Sequence, residues 1–172
     1  VKVVTPGLID ARTVIGMSGV LNTPVDQDQL EKSSPIQPEL RAIDAYNPEE
    51  KLVTVARETG ITTLHTGHGI GALVSGQTMI VKTKVGTVET VTLNPFAMMA
   101  MTIGPSVGSN FTSPGTKAKQ LAMIRAELVK AQAYHKKMLD KDSSKRPSID
   151  MKLDGLVKLL NRDIKALITA NT

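Results

Sequence analysis

The segment Thr63-Leu64-His65-Thr66-Gly67-His68-Gly69-Ile70-Gly71 carries two of the chain's three histidines at the end of a β-branched stretch. A strand that ends in His65 and breaks into glycines around His68 delivers two imidazoles to a strand's C-terminal end, where parallel α/β proteins assemble their sites. Neutral imidazoles serve as metal ligands or as a general acid and base. Two do not complete a zinc site, which takes three or four protein ligands, and the chain has no cysteine to add. The competing reading is that His65 packs and hydrogen-bonds while His68 is a polar turn residue.

The other candidates carry less chemistry. Gly67, Gly69, Gly71 and Gly76 suggest a phosphate loop, but no GK[ST] follows, and glycines of a flexible turn need no ligand. Asp26-Gln27-Asp28-Gln29 lacks the glycine and the closing glutamate of a calcium loop, so it reads as solvated loop. Ser18, Ser75 and Ser106 are not read as members of a GxSxG or SxxK motif and so give no specific support for a serine hydrolase, His135 falls among lysines on a long helix, and Lys82 is expected to point outward from a hairpin.

Positioning the histidines requires a strand over 61–66. Asn47-Pro48-Glu49-Glu50 predicts a helix start, with Asn47 as N-cap, Pro48 at the first helical position and two carboxylates in the first turn at the positive end of the dipole. Gly60 stops that helix and the strand follows. Ahead of it lie a short apolar strand over 7–15 and a long polar loop over 18–38. Downstream, Met79-Ile80-Val81-Lys82, a turn at Lys84-Val85-Gly86 and Thr87 to Leu93 predict a hairpin. Residues 96–103, rich in methionine, read as a strand or a core helix turn packed by flexible side chains.

Residues 117–141 predict a long helix with Leu121, Ile124, Leu128 and Ala131 on one face. Arg146-Pro147-Ser148 breaks the pattern. A second helix carrying Leu153, Leu156, Val157 and Leu160 leads to a last strand, Ala166-Leu167-Ile168-Thr169-Ala170.

Composition narrows the classes. A chain of 172 residues with 41% hydrophobic side chains supports a real core, and aromatics at 2% argue against base- or sugar-stacking surfaces. No run reaches the length of a membrane span, so no membrane partner is expected. Residues 1–100 carry 8 basic and 10 acidic side chains and residues 101–172 carry 13 and 6, which makes the C-terminal half basic. The lysines alternate with Glu127, Asp140, Asp142, Asp154 and Asp163, the pattern of solvated helix faces, and nucleic acid is not an expected partner. The compartment is left open, since lack of cysteine fits any redox environment.

Thr5-Pro6-Gly7-Leu8-Ile9-Asp10-Ala11-Arg12-Thr13-Val14 resembles the pattern PGLIDxHxH that closes the first barrel strand in the amidohydrolase superfamily. Further similarities follow in order: Pro38-Glu39-Leu40-Arg41-Ala42-Ile43-Asp44-Ala45-Tyr46-Asn47-Pro48, Glu58-Thr59-Gly60-Ile61-Thr62-Thr63, Ser75-Gly76-Gln77 as a loop, and Ser113-Pro114-Gly115-Thr116 with Arg125. Together they are similar to the imidazolonepropionase-like branch.

The resemblance implies an α/β fold, a (β/α)8 TIM-type barrel of the metal-dependent hydrolase type, with an inserted hairpin and a long helix. Residues 1–172 would form one partial barrel domain, about the first half, cut from a longer parent, since the chain starts at Val1 inside the motif frame. It further implies a divalent metal such as zinc activating water against amide or cyclic C–N bonds of a small-molecule substrate.

The family's metal histidines are replaced here by Arg12 and Val14, and at the last strand by Thr169 and Asn171. Arginine stays charged and valine has no lone pair. His65 and His68 are then the candidates for a rebuilt site, with Arg12 as a fixed positive charge at a carbonyl. The fragment is expected to be inactive alone and to self-associate or pair with the missing barrel half. The alternative is a non-catalytic scaffold or interaction module that uses its basic C-terminal helices.

Overall fold

A computed structural model describes residues 3–170. Asn171, one of the two positions compared with the family's last-strand histidines, lies outside them. The fold is mixed α/β and divides into two units: residues 3–29, Arg41–Gly69 and Thr78–Ala97 form one, and Leu30–Leu40, Ile70–Gln77 and 98–170 the other.

In the first unit, strand β1 (Leu8–Thr13) pairs in parallel with β2 (Ile61–Thr66). Strand β4 (Met79–Lys82) pairs antiparallel with β2 and with β5 (Thr92–Asn94), giving the sheet order β1-β2-β4-β5. Helix α1 (Lys51–Glu58) joins β1 to β2 and buries Val53 and Ala56 against Leu64, Met79 and Val81. Burial of each such aliphatic side chain contributes about 1.5–3 kcal/mol. Gly60 ends the helix with φ +91°, and its carbonyl then accepts the Leu8 N–H at 2.9 Å, fastening the start of β1.

Two local expectations are corrected here. Asn47 does not cap α1. Its Oδ1 accepts from Glu49 N in the preceding turn, and Glu50 is the N-cap through the Leu52 N–H, 2.7 Å away. The second half of the predicted hairpin starts as a helical turn, α2 (Val88–Val91), because burying Val91 in the core while Thr90 and Thr92 bond back to the carbonyls of Thr87 and Val88 outweighs β-branched propensity.

The second unit holds the sheet β3-β6-β7: β3 (Val74–Gln77) antiparallel to β6 (Met98–Ile103), and β6 parallel to β7 (Lys165–Ala170) in unbroken register. Ser75-Gly76-Gln77 therefore lies in a strand, not a loop. Methionines 99 and 101 are buried, as packing side chains. After β6, the short helix α3 (Pro105–Asn110) precedes α4 (Lys117–Met138) and α5 (Met151–Leu160). Helices α4 and α5 pack through Leu128, Ala131, Tyr134, Met138, Leu153, Leu156, Val157 and Leu160.

The predicted apolar stripe of α4 is shifted at its start. Leu121 is 46% exposed and Gln120 is 2% exposed in its place. The Gln120 amide accepts from Gly104 N at 2.8 Å and donates to Gly104 O at 3.0 Å, so it partners both backbone polar groups of Gly104.

No closed ring of strands exists among the described residues. Strands β1 and β5 are the edges of one sheet, and β3 and β7 of the other.

Candidate functional site

The C-terminal end of β1 and the segment after β2 bring Arg12, His65 and His68 into one neighbourhood of the first unit. Register does the placing: β1 runs beside β2, and the Thr66 hydroxyl donates to Ile15 O at 2.6 Å just beyond the strand. The glycines of 67–69 serve close approach. A Cβ at Gly67 would come within 2.9 Å of the Thr78 Cα, and the Gly69 N–H donates to Gln29 O at 2.6 Å. They form no phosphate loop.

His65 spends both ring nitrogens on the protein. Its Nδ1 lies 2.9 Å from the Ala11 carbonyl oxygen, which only accepts, so Nδ1 carries the proton. The other nitrogen, Nε2, lies 2.7 Å from Thr78 Oγ1. In the neutral ring it accepts the threonine hydroxyl. Burial lowers the His65 pKa, outweighing the Ala11 hydrogen bond. This is the packed, hydrogen-bonded histidine of the structural reading, and it positions β1.

His68 is different. It is 4% exposed, and its Nε2 is buried without a hydrogen-bond partner. Burial, with the nearby Arg12 charge, lowers its pKa to about 4, so the ring is neutral at pH 7.

Arg12 is half-buried, and its terminal nitrogens donate to the main-chain oxygens of Thr13, at 3.3 Å, and of His68. No carboxylate lies within ion-pair distance of it among the described residues.

A divalent metal does not fit this corner. Among the described residues no group of three His, Cys, Asp or Glu side chains could hold one, His65 is fully engaged, and a guanidinium occupies the neighbourhood. Elsewhere in the unit, a cavity of about 200 Å³ is lined by Ser18, Asp26, Asp28, Asn47 and Glu50. Two of its carboxylates already hold backbone: Asp26 accepts from Leu21 N and Thr23 N, and Glu50 caps α1.

A serine motif escapes the sequence reading. Gly104-Pro105-Ser106-Val107-Gly108 has G-x-S-x-G spacing, follows β6 and opens α3, with Gly104 at φ +135°. The geometry gives it no nucleophile. Ser106 Oγ is buried without a partner, and the Val107 N–H that would serve an oxyanion donates to Gly104 O at 3.2 Å.

A crystal structure of an amidohydrolase from Thermotoga maritima MSB8 superposes on the chain with a TM-score of 0.89 at 25% sequence identity, over 95% of this chain. The chain is similar to an amidohydrolase in structure. It spans 44% of that structure's length. No family model and no curated protein matches the sequence.

Proposed function

We propose that this chain is part of an amidohydrolase-like (β/α)8 barrel of the imidazolonepropionase-like branch, whose complete form hydrolyses amide or cyclic C–N bonds of a small molecule. The single observation that carries the reading is the amidohydrolase likeness over 95% of the chain. In that reaction water adds to the carbonyl carbon, the C–N bond breaks and the nitrogen leaves with a proton.

Arg12 contributes a fixed positive charge at the end of the first strand, where hydrogen-bond donation to a carbonyl oxygen stabilises developing negative charge. Neutral His68 contributes a ring nitrogen that donates or accepts according to its tautomer. His65 holds the strand that carries Arg12. The 172-residue chain alone is proposed to be inactive, because among the described residues no group of three His, Cys, Asp or Glu side chains could hold a water-activating metal ion. The test is turnover of amide and cyclic-amide substrates by the complete protein and by this chain. Hydrolysis by the former alone supports the reading; no hydrolysis by either overturns it.

A non-catalytic interaction role for the C-terminal helices has less support. Glu127 pairs with Lys130 and Lys152, and Asp154 with Lys158, so part of the basic charge is answered within the unit.

A further inference from the structure

We infer that the end of β1, where the resemblance implies a divalent cation, binds a small carboxylate anion through Arg12 and His68. The geometry reverses the sign of the expected ligand. A guanidinium has five N–H donors, and the two bonds recorded for Arg12 go to uncharged carbonyl oxygens of Thr13 and His68. The remaining donors and the whole positive charge have no counter-ion among the described residues. His68, whose carbonyl accepts one of these bonds, carries a buried imidazole whose Nε2 has no partner. A planar fork with a second polar group next to it matches a carboxylate, which accepts two parallel N–H bonds and one more at its remaining lone pairs.

The bond from Arg12 to the His68 carbonyl also fixes the guanidinium before a ligand arrives. Preorganisation of this kind reduces the entropy lost on binding. Asp10 and Asp44, the carboxylates that act on His65 and His68, do not pair with the Arg12 guanidinium. Asp10 Oδ1 accepts the Arg12 backbone N–H, and Asp44 is clasped in a two-point pair by Arg41 at 2.6 and 2.8 Å. The inference rests on the proposed function for the source of the carboxylate, since hydrolysis of an amide releases one.

The test is NMR titration of the 172-residue chain with sodium acetate, against sodium chloride at matched ionic strength and against zinc chloride. Saturable shifts of the Arg12 Nε and His68 ring signals with acetate, absent with chloride and zinc, are expected. Arg12→Gln should weaken the acetate affinity about tenfold or more, as loss of a charged hydrogen bond does. If that variant does not fold, His68→Gln should weaken it severalfold with the Arg12 signal still responding.

The inference is overturned if acetate acts no differently from chloride, if Arg12→Gln binds acetate as well as the parent, or if zinc shifts the His68 signal saturably. Turnover by the complete protein is a separate measurement. A failed acetate titration removes the carboxylate site and leaves the hydrolase reading intact, whereas absent turnover with positive acetate binding does the reverse.

Discussion

The Nδ1–H of His65 donates to the carbonyl oxygen of Ala11 at 2.9 Å, tying β2 to β1 one residue before Arg12. His65, which reads from the sequence as a possible ligand, braces the two strands, with Thr78 Oγ1 at 2.7 Å from its other nitrogen. His65→Ala would remove the hydrogen bonds to Ala11 O and Thr78 Oγ1 and open a cavity. The expected cost is about 2–4 kcal/mol. Urea denaturation measures it; a change below roughly 0.5 kcal/mol, the range of ordinary surface substitutions, would contradict the bracing role.

His68 makes stability fall in mild acid. Its folded pKa, about 4, lies below the unfolded value of 6.5, so the unfolded chain takes the proton first. Stability is therefore full above about pH 6.5, declines as the pH falls toward 4, and the loss from this group amounts to roughly 3 kcal/mol. His65 acts in the same direction. Carboxylates held low by hydrogen bonds, such as Glu31 and Asp142, act only at lower pH, below their unfolded values. Urea midpoints measured from pH 7.5 to 4 should slope downward in the parent and less steeply in His68→Gln. Equal slopes would contradict the assignment.

Gly16 and Tyr46 form a tight contact that predicts two effects of opposite sign. Gly16 has φ +87°, and a Cβ there would overlap the Tyr46 ring. Gly16→Ala should destabilise by roughly 2–4 kcal/mol, combining backbone strain with a displaced core aromatic. The Tyr46 hydroxyl is buried without a partner and its pKa is pushed up to about 12 by burial. Tyr46→Phe removes an unpaired polar atom and should be neutral or stabilising by up to about 1 kcal/mol. Thermal melts of the two variants check both signs.

Gln120 holds the peptide groups of Gly104 from the face of α4. Gln120→Leu keeps the volume but leaves the Gly104 N–H unpaired and its C=O with only the Val107 N–H, at an expected cost of about 1–3 kcal/mol. Leu121→Gln, one position along, should change stability by less than about 0.5 kcal/mol because that side chain is exposed. Chemical denaturation of the pair decides which residue faces inward.

The elements legible in the sequence are those whose signal is local. Gly60 and the β-branched run after it announce β2, and the apolar spacing of 153–160 announces α5. Strand β3 carries no such signal: Val74-Ser75-Gly76-Gln77 becomes a strand only by pairing with β6. Hydropathy selects Leu121 over Gln120 because it cannot register a buried peptide that needs an amide partner. The site shows the same division. His65 and His68 stand out by type and spacing, but the partners that separate their roles lie far along the chain: Ala11 is 54 residues from His65, and Arg12 is 56 from His68. The amidohydrolase likeness was readable from ordered motifs. Which carbonyls the Arg12 guanidinium reaches was not, and only coordinates show that.

The most direct test is zinc stoichiometry, measured by elemental analysis after the complete protein is saturated with zinc and dialysed, with the His68→Gln variant alongside. The account predicts no zinc retained through the end of β1, so the variant should hold the same amount as the parent. One equivalent of zinc bound by the parent and lost on His68→Gln would contradict it.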